Sequence, residues 1–368
     1  MDKSARGRRR ILHVVRQFPP SYGGLEEYVL TLVDRQAPRD RVTVLTLNRL
    51  FGSPTRLKRI ERRGRAIIVR TGFVGGQRLF LPFVSAKFFR RFDLIHVHAL
   101  DQLADVVSLL TRRSGPPFVF TSHGLFFHTA ALARIKEIYF KLISRRTLAR
   151  AKVAFAVSRP DQLRLEQIGV EARLLNNPAN AFPFCYAGGR DLIYWGRIAE
   201  NKDVPKLLLF IAALLKSGSD RLLHIVGGGD PGIIERLDRE IAALGLGSHV
   251  RRHGFLSRAD LQALLPQCGF AVSASRYEGY GIAQVEAMTA GLLPIMQTND
   301  AFRALFEQSG SGLLVDFDDP QAASESFLAW EATIALDHRQ RAREFGLSRD
   351  WTATAREIDD VYNLILSP

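Results

Sequence analysis

The stretch FAVSASRYEGYGIAQVEAMTAGLLPIM (residues 270–296) opens with a short apolar run, FAVSA, and turns through a glycine-rich corner, RYEGYG. It then takes up helical spacing and ends in a second apolar run, LLPIM. An apolar run without alternation suits a strand buried on both faces, as in a parallel sheet covered by helices. The rhythm recurs outward in both directions. In the first half it predicts strands at ILHVV (11–15), VTVLTL (42–47), AIIV (66–69), LIHVH (94–98), FVFTS (118–122) and VAFAVS (153–158). It restarts at LIYWG (192–196) and continues with LLHIVG (222–227), VRRHG (250–254), FAVSA, LLPIM and GLLV (312–315). Two successive β-α-β-α series predict an α/β protein with two doubly wound parallel sheets.

Between the series lies NNPANAFPFCYAGGR (176–190), whose Pro, Asn and Gly residues mark a linker. This predicts a first domain over 1–180 and a second over 181–350. A final helix over 351–368 would pack back on the first domain. Ligands of such sheets bind outside the carboxyl ends of the strands, so two facing domains would hold the site in a cleft between them.

At 46% hydrophobic and a mean hydropathy of −0.02, the composition is that of a packed globular protein rather than a disordered one. The longest apolar run, LLLFIAALL (207–215), falls well short of the roughly 20 residues of a spanning helix. The basic N-terminus leads only to Ile11–Val15, which His13 interrupts and Arg16 stops, so it reads as a strand rather than a signal sequence. Cys185 and Cys268 have neither the number nor the spacing of a disulfide framework or a zinc site, which points to a reducing cytoplasm. The net charge of +14 is unevenly spread. Residues 1–180 carry 33 Lys and Arg against 13 Asp and Glu, and the remainder 18 against 24. A basic first half implies an anionic partner, either nucleic acid or the negatively charged cytoplasmic leaflet.

Five places carry candidate chemistry. In RQFPPSYGG (16–24), Gly23 and Gly24 open a helix where backbone can approach a phosphate, or simply form a tight turn. The three spaced glycines of a dinucleotide fingerprint are absent. His123 follows a strand end in FVFTSHGLFFHTA, with His128 beyond it; either imidazole can bond a hydroxyl or serve structure alone. GRIAENKD (196–203) supplies Arg197 and Lys202, a fork and a point charge suited to a diphosphate, or two solvated cations. GGGD (227–230), with Gly228 at its centre, admits a nucleotide or makes a turn.

In the opening stretch, Glu278 precedes a helix start near Gly281, and the amides of Gly279, Tyr280, Gly281 and Ile282 would face a ligand. Glu286 further along can take two ribose hydroxyls. The plainer alternatives are a dipole-favoured charge at Glu278 and a surface residue at Glu286. Asp316 and Asp318 in VDFDD form a pair of the kind that ligates a divalent metal, but they precede Pro320 and read as a turn or helix cap, so no metal is assigned.

These residues resemble the retaining glycosyltransferase family 4, whose members have the GT-B fold of two facing Rossmann-like domains. The likeness rests on Gly23-Gly24, on Arg197 with Lys202, on GGGD and on the Glu-x7-Glu signature from Glu278 to Glu286. Within that family, HVVRQFPPSYGGLEEYV (13–29), HGLFFHTA (123–130) and SRYEGYGIAQVEAMTAGLLPI (275–295) are similar to the bacterial α-1,3-mannosyltransferases of xanthan and acetan exopolysaccharide assembly. The resemblance implies transfer of mannose from GDP-mannose to a cellobiosyl-diphospho-polyprenol at the inner face of the cytoplasmic membrane, with retention and without a metal or other cofactor. It implies Glu286 on the ribose, Arg197 and Lys202 on the diphosphate, Glu278 and its neighbouring amides on the mannose, His123 near the reacting carbon and His128 on the acceptor side. Asp203 stands where the family often has Gly after the lysine, and NNPAN (176–180) replaces its Asn-Gly-Val-Asp corner.

A lipid-linked acceptor accords with the basic first half. Phe88, Phe89, Arg90 and Arg91 form one aromatic-basic cluster, and RIKEIYFKLISRRTLAR (134–150) another, a mixture used in peripheral binding to anionic bilayers. Two other readings remain open. One is a family member using UDP-glucose or UDP-galactose on a different lipid-linked or lipopolysaccharide acceptor. The other is a polyanion- or nucleic-acid-binding protein, which would leave Glu278, Glu286 and the glycine loops unexplained.

Overall fold

The computed structural model describes residues 8–21, 23–51, 53–77, 79–112, 115–125, 133–186 and 188–367. The chain divides into two compact units, one formed by Met1–Asn176 with Thr352–Pro368 and the other by Asn177–Trp351.

In the first unit the strands are β1 (Arg10–Val14), β2 (Arg41–Leu47), β3 (Ile60–Arg63), β4 (Ala66–Thr71), β5 (Phe73–Gly75), β6 (Phe80–Pro82), β7 (Leu94–His98), β8 (Phe118–Thr121), β9 (Val153–Ala156) and β10 (Ala172–Leu174). Eight make one sheet in the order β10-β9-β8-β7-β1-β2-β4-β3, while β5 and β6 pair separately. All neighbours in the large sheet run parallel except β3, which is antiparallel to β4. In the second unit β11 (Asp191–Trp195), β12 (Leu223–Val226), β13 (Val250–Gly254), β14 (Cys268–Ser273), β15 (Leu293–Gln297) and β16 (Leu313–Val315) form a wholly parallel sheet. Its order is β13-β12-β11-β14-β15-β16, the doubly wound Rossmann order.

The apolar runs read as strands are strands in the structure, and the inner ones are buried on both faces, whereas the longest run, LLLFIAALL, lies in the helix Val204–Lys216. Leu192, Ile193, Leu223, Ile225, Phe270 and Val272 are buried on successive positions, with no polar alternation to reveal an outward face. Four strands escaped the sequence reading. Strand β3 (IERR) is exposed throughout, and β5, β6 and β10 are three residues each, too short to set a period.

The chain order reverses between β11 and β14 in the second sheet and between β1 and β7 in the first. Loops at the carboxyl ends of strands that flank such a reversal splay apart and form a crevice. The last helix, Trp351–Leu366, buries Ile358, Val361 and Tyr362, and its Asp359 pairs with Arg9 at 3.2 Å and Arg39 at 2.6 Å. Through residues 352–368 it belongs to the first unit.

Candidate active site

In the second unit the two loops at the reversal clasp each other. After β11 the chain makes a short turn at Glu200–Lys202 and enters a helix at Val204–Lys216 through Asp203, which has a left-handed φ of 48°. After β14 it reaches the helix Ile282–Ala290 through Gly281, with φ 90°. The Arg276 amide donates to the Asn201 carbonyl at 3.0 Å, and the Arg276 guanidinium bonds Asp203 at 2.7 Å. Between them Lys202 Nζ meets Glu278 Oε1 at 2.5 Å, with side-chain exposures of only 20% and 15%. Lys202 and Glu278 are thus partners of each other. Arg197 is exposed, and its carbonyl takes the Tyr194 hydroxyl at 2.9 Å, which anchors the loop on the core.

Gly281 has no side chain to cap the helix it begins, so the first-turn amides have no side-chain acceptor there, a suitable place for an anion. Its glycine has a local cause as well. A Cβ at Gly281 would lie 2.6 Å from the Phe302 ring. The Tyr280 ring packs on the core with its hydroxyl buried, and burial raises its pKa. Gly279 lies in the bend before Gly281, and Ile282 is the first helical residue. Glu286 is half-buried and accepts the Asn180 amide at 3.1 Å, so it is no mere surface charge.

The glycines of GGGD answer first to the backbone. The Ile198 amide donates to the Gly228 carbonyl at 2.8 Å and the Gly227 amide to the Gly254 carbonyl at 2.7 Å. A Cβ at Gly227 would sit 2.0 Å from the Gly196 carbonyl oxygen, one at Gly229 2.0 Å from that of Ile198, and one at Gly228 2.4 Å from the Phe255 ring. Asp316 accepts from Gln297 and from the Asp318 amide, both at 3.0 Å. Asp318 pairs with Lys206 at 2.5 Å, and Asp319 caps the helix Pro320–Glu331. VDFDD is therefore a capping turn with its carboxylates engaged.

In the first unit Gly23 caps the helix Gly24–Gln36. A Cβ at Gly24 would meet no atom of the described residues within 4 Å. The loop carrying His123 is fastened by Asp161, which accepts Ser122 Oγ at 2.5 Å and the amides of Gly124 at 3.1 Å and Leu125 at 3.2 Å. The Tyr28 ring meets the His123 ring edge-on, 4.5 Å between centroids. Burial pushes the His123 pKa down to about 3, so the imidazole is neutral at physiological pH. His128 lies outside the described residues. His13, His98 and Gln36, behind His123, were not singled out by sequence; the available signal was the histidine in the apolar run ILHVV and the two in LIHVH.

Residues 22–180 match the model of the family described as Glycosyltransferase Family 4, and residues 185–347 that of Glycosyl transferases group 1. The chain is also 35% identical, over 98% of both chains, to the GDP-mannose:cellobiosyl-diphosphopolyprenol alpha-mannosyltransferase of Xanthomonas campestris. The chain belongs to glycosyltransferase family 4. A like-named enzyme of Komagataeibacter xylinus is 31% identical over 97% of this chain and 93% of its own. Solved structures share the fold at low identity. A sucrose-phosphate synthase from Thermosynechococcus elongatus superposes with TM-score 0.77 at 19% identity, covering 97% of this chain and 99% of that one. A glycosyltransferase from Rickettsia africae gives 0.72 at 17%, covering 98% and 100%. The protein is thus a glycosyltransferase of GT-B type with two Rossmann-like units, and the reading as a polyanion binder alone gives way.

Proposed function

We propose that this glycosyltransferase moves mannose from GDP-mannose to a cellobiosyl-diphospho-polyprenol, with retention and in α-1,3 linkage, during exopolysaccharide assembly. The observation that carries the reading is the identity, sustained over nearly the whole of both chains, to the enzyme named for that donor and acceptor. In this reading Glu286 takes the ribose, Lys202 and Arg197 the diphosphate, and Glu278 with the amides around Gly281 the mannose. As the sugar–phosphate bond breaks, charge gathers on the leaving diphosphate; cations and helix-terminal amides already aimed there lower the barrier. The diphosphate oxygen then takes the acceptor proton. The reaction is proposed to need no metal, a role that VDFDD, with Asp318 held by Lys206, is poorly disposed to fill.

The test is transfer of labelled sugar from GDP-mannose, with UDP-glucose and UDP-galactose in parallel, to a synthetic phytanyl-diphosphate cellobioside in EDTA. Labelled trisaccharide lipid from GDP-mannose alone is the expected result. Labelling from a UDP-sugar instead overturns the donor, and labelling that requires Mg²⁺ or Mn²⁺ overturns metal independence.

The proposal extends to a peripheral seat on the cytoplasmic membrane face. Among the described residues no helix is long and apolar enough to cross a membrane. One of the two expected clusters does not serve: Phe89 is buried, and Phe88 packs on the core and on Phe92, because the short helix Ala86–Phe89 turns its aromatic side inward. In the other, Phe140 is buried and Tyr139 bonds Asp105, while Ile138 and Leu142 are 58% and 54% exposed beside exposed Lys141, Arg145 and Arg146. Replacing both with Glu (Ile138→Glu, Leu142→Glu) is expected to weaken binding to anionic phospholipid vesicles at least about tenfold without loss of fold. Unchanged sedimentation with vesicles counts against this seat.

A further inference from the structure

Behind His123 the first unit holds a line of buried polar groups whose donors and acceptors can be assigned one after another. It starts at Asp359, a carboxylate paired with Arg9 and Arg39, which can only accept. Gln36 Nε2 lies 3.3 Å from Asp359 Oδ1, so the amide turns its NH₂ toward the carboxylate and its oxygen toward the sheet. Gln36 Oε1 lies 2.8 Å from His13 Nε2, which must therefore carry the proton. Burial brings the His13 pKa down to about 4 and holds that of His98 well below its ordinary value, so each ring is neutral and has one N–H to give. His13 Nδ1 is then a bare acceptor, 2.9 Å from His98 Nε2, which must donate. His98 Nδ1 becomes the next acceptor, 3.3 Å from His123 Nε2.

We infer that this line, Asp359–Gln36–His13–His98, locks His123 as its Nε2–H tautomer and leaves Nδ1 as a fixed acceptor for a substrate hydroxyl. The inference rests on the proposed reading in which His123 meets the reacting sugar. Gln36, His13 and His98 are positioning residues, and the last helix reaches the sugar site through Asp359. Reversing the line would set the Gln36 carbonyl oxygen against a bare His13 nitrogen, two acceptors facing each other in a buried site. The arrangement also disposes of a metal at the neighbouring His13, His96 and His98. Both ring nitrogens of each are already engaged, those of His96 by Tyr362 at 2.5 Å and Thr121 at 2.7 Å.

The experiment is long-range ¹H–¹⁵N correlation on the full chain labelled with ¹⁵N-histidine, with His123 assigned by the signal lost in His123→Gln. The expected pattern is a protonated Nε2 and a bare Nδ1 for His13, His98 and His123. An Nδ1–H form of His123, or a mixture of tautomers, overturns the inference, and should His123→Gln fail to fold, ring-proton contacts to Tyr28, 4.5 Å away between centroids, assign His123 in the wild-type spectrum. Gln36→Met, which removes the acceptor at the head of the line, should bring His13, His98 and His123 into mixed tautomers and lower kcat about tenfold with little change in donor KM. Unshifted tautomers in that variant also overturn it. Should the expected tautomers appear while His123→Gln transfers sugar normally, the line stands and the proposed role of His123 falls.

Discussion

Lys202→Ala is expected to lower kcat/KM for the nucleotide sugar by about 10²–10³-fold, the loss found when one preorganised group aimed at developing charge is removed. The cost in stability should be slight by comparison. The Lys202–Glu278 pair is partly exposed, and breaking it amounts to roughly 1–2 kcal/mol, a fall in Tm of about 2–8 °C. The pair makes Glu278→Gln the informative companion. That change frees the lysine from its carboxylate, so GDP should bind as well as before or more tightly, yet transfer should fall if Glu278 holds the sugar. Steady-state kinetics with calorimetric GDP binding separates the two. Transfer by Lys202→Ala within about threefold of wild type would sink the proposed diphosphate site. Weakened GDP binding in Glu278→Gln would instead make the pair a structural clasp between the loops after β11 and β14.

Gly227→Ala is expected to be the most destabilising change of a single methyl in the second unit. Its Cβ would lie 2.0 Å from the Gly196 carbonyl oxygen, which is backbone and cannot swing aside, and φ at Gly227 is 128°. Strain in φ and overpacking each cost about 1–3 kcal/mol, so Tm should fall by on the order of 10 °C or the protein should fail to accumulate. Gly24→Ala provides the contrast. No atom of the described residues would lie within 4 Å of its Cβ, and alanine in a helix is favoured over glycine by up to about 1 kcal/mol, so stability should hold or rise. If ligand fills the space in front of Gly24, transfer should fall in this stable variant. Differential scanning calorimetry with a transfer assay checks both, and an intact Tm in Gly227→Ala would mean that the loops after β11 and β12 part more readily than their hydrogen bonds suggest.

Burial on both faces of a parallel sheet writes itself into consecutive residues, which is why runs such as ILHVV, LIHVH, FAVSA and LLPIM could be read as strands and their alternation with helices as a doubly wound fold. The Glu-x7-Glu stretch and the glycine loops likewise carry the family in local order, and the matches over 22–180 and 185–347 agree. Local order stops there. Whether Phe88 and Phe89 face lipid or core depends on how the short helix at Ala86–Phe89 is seated, which no period in four residues reveals. That Lys202 grips Glu278 follows from β11 and β14 being neighbours in the sheet although β12 and β13 intervene in sequence. That His13, His98 and His123 meet follows from β1, β7 and β8 lying side by side, with Gln36 and Asp359 brought from two helices far apart in the chain. The amino-acid sequence by itself determined which segments are buried and which family signature they carry. Only the tertiary structure decided which polar groups pair, because hydrogen bonds and ion pairs are set by strand order and not by distance along the chain.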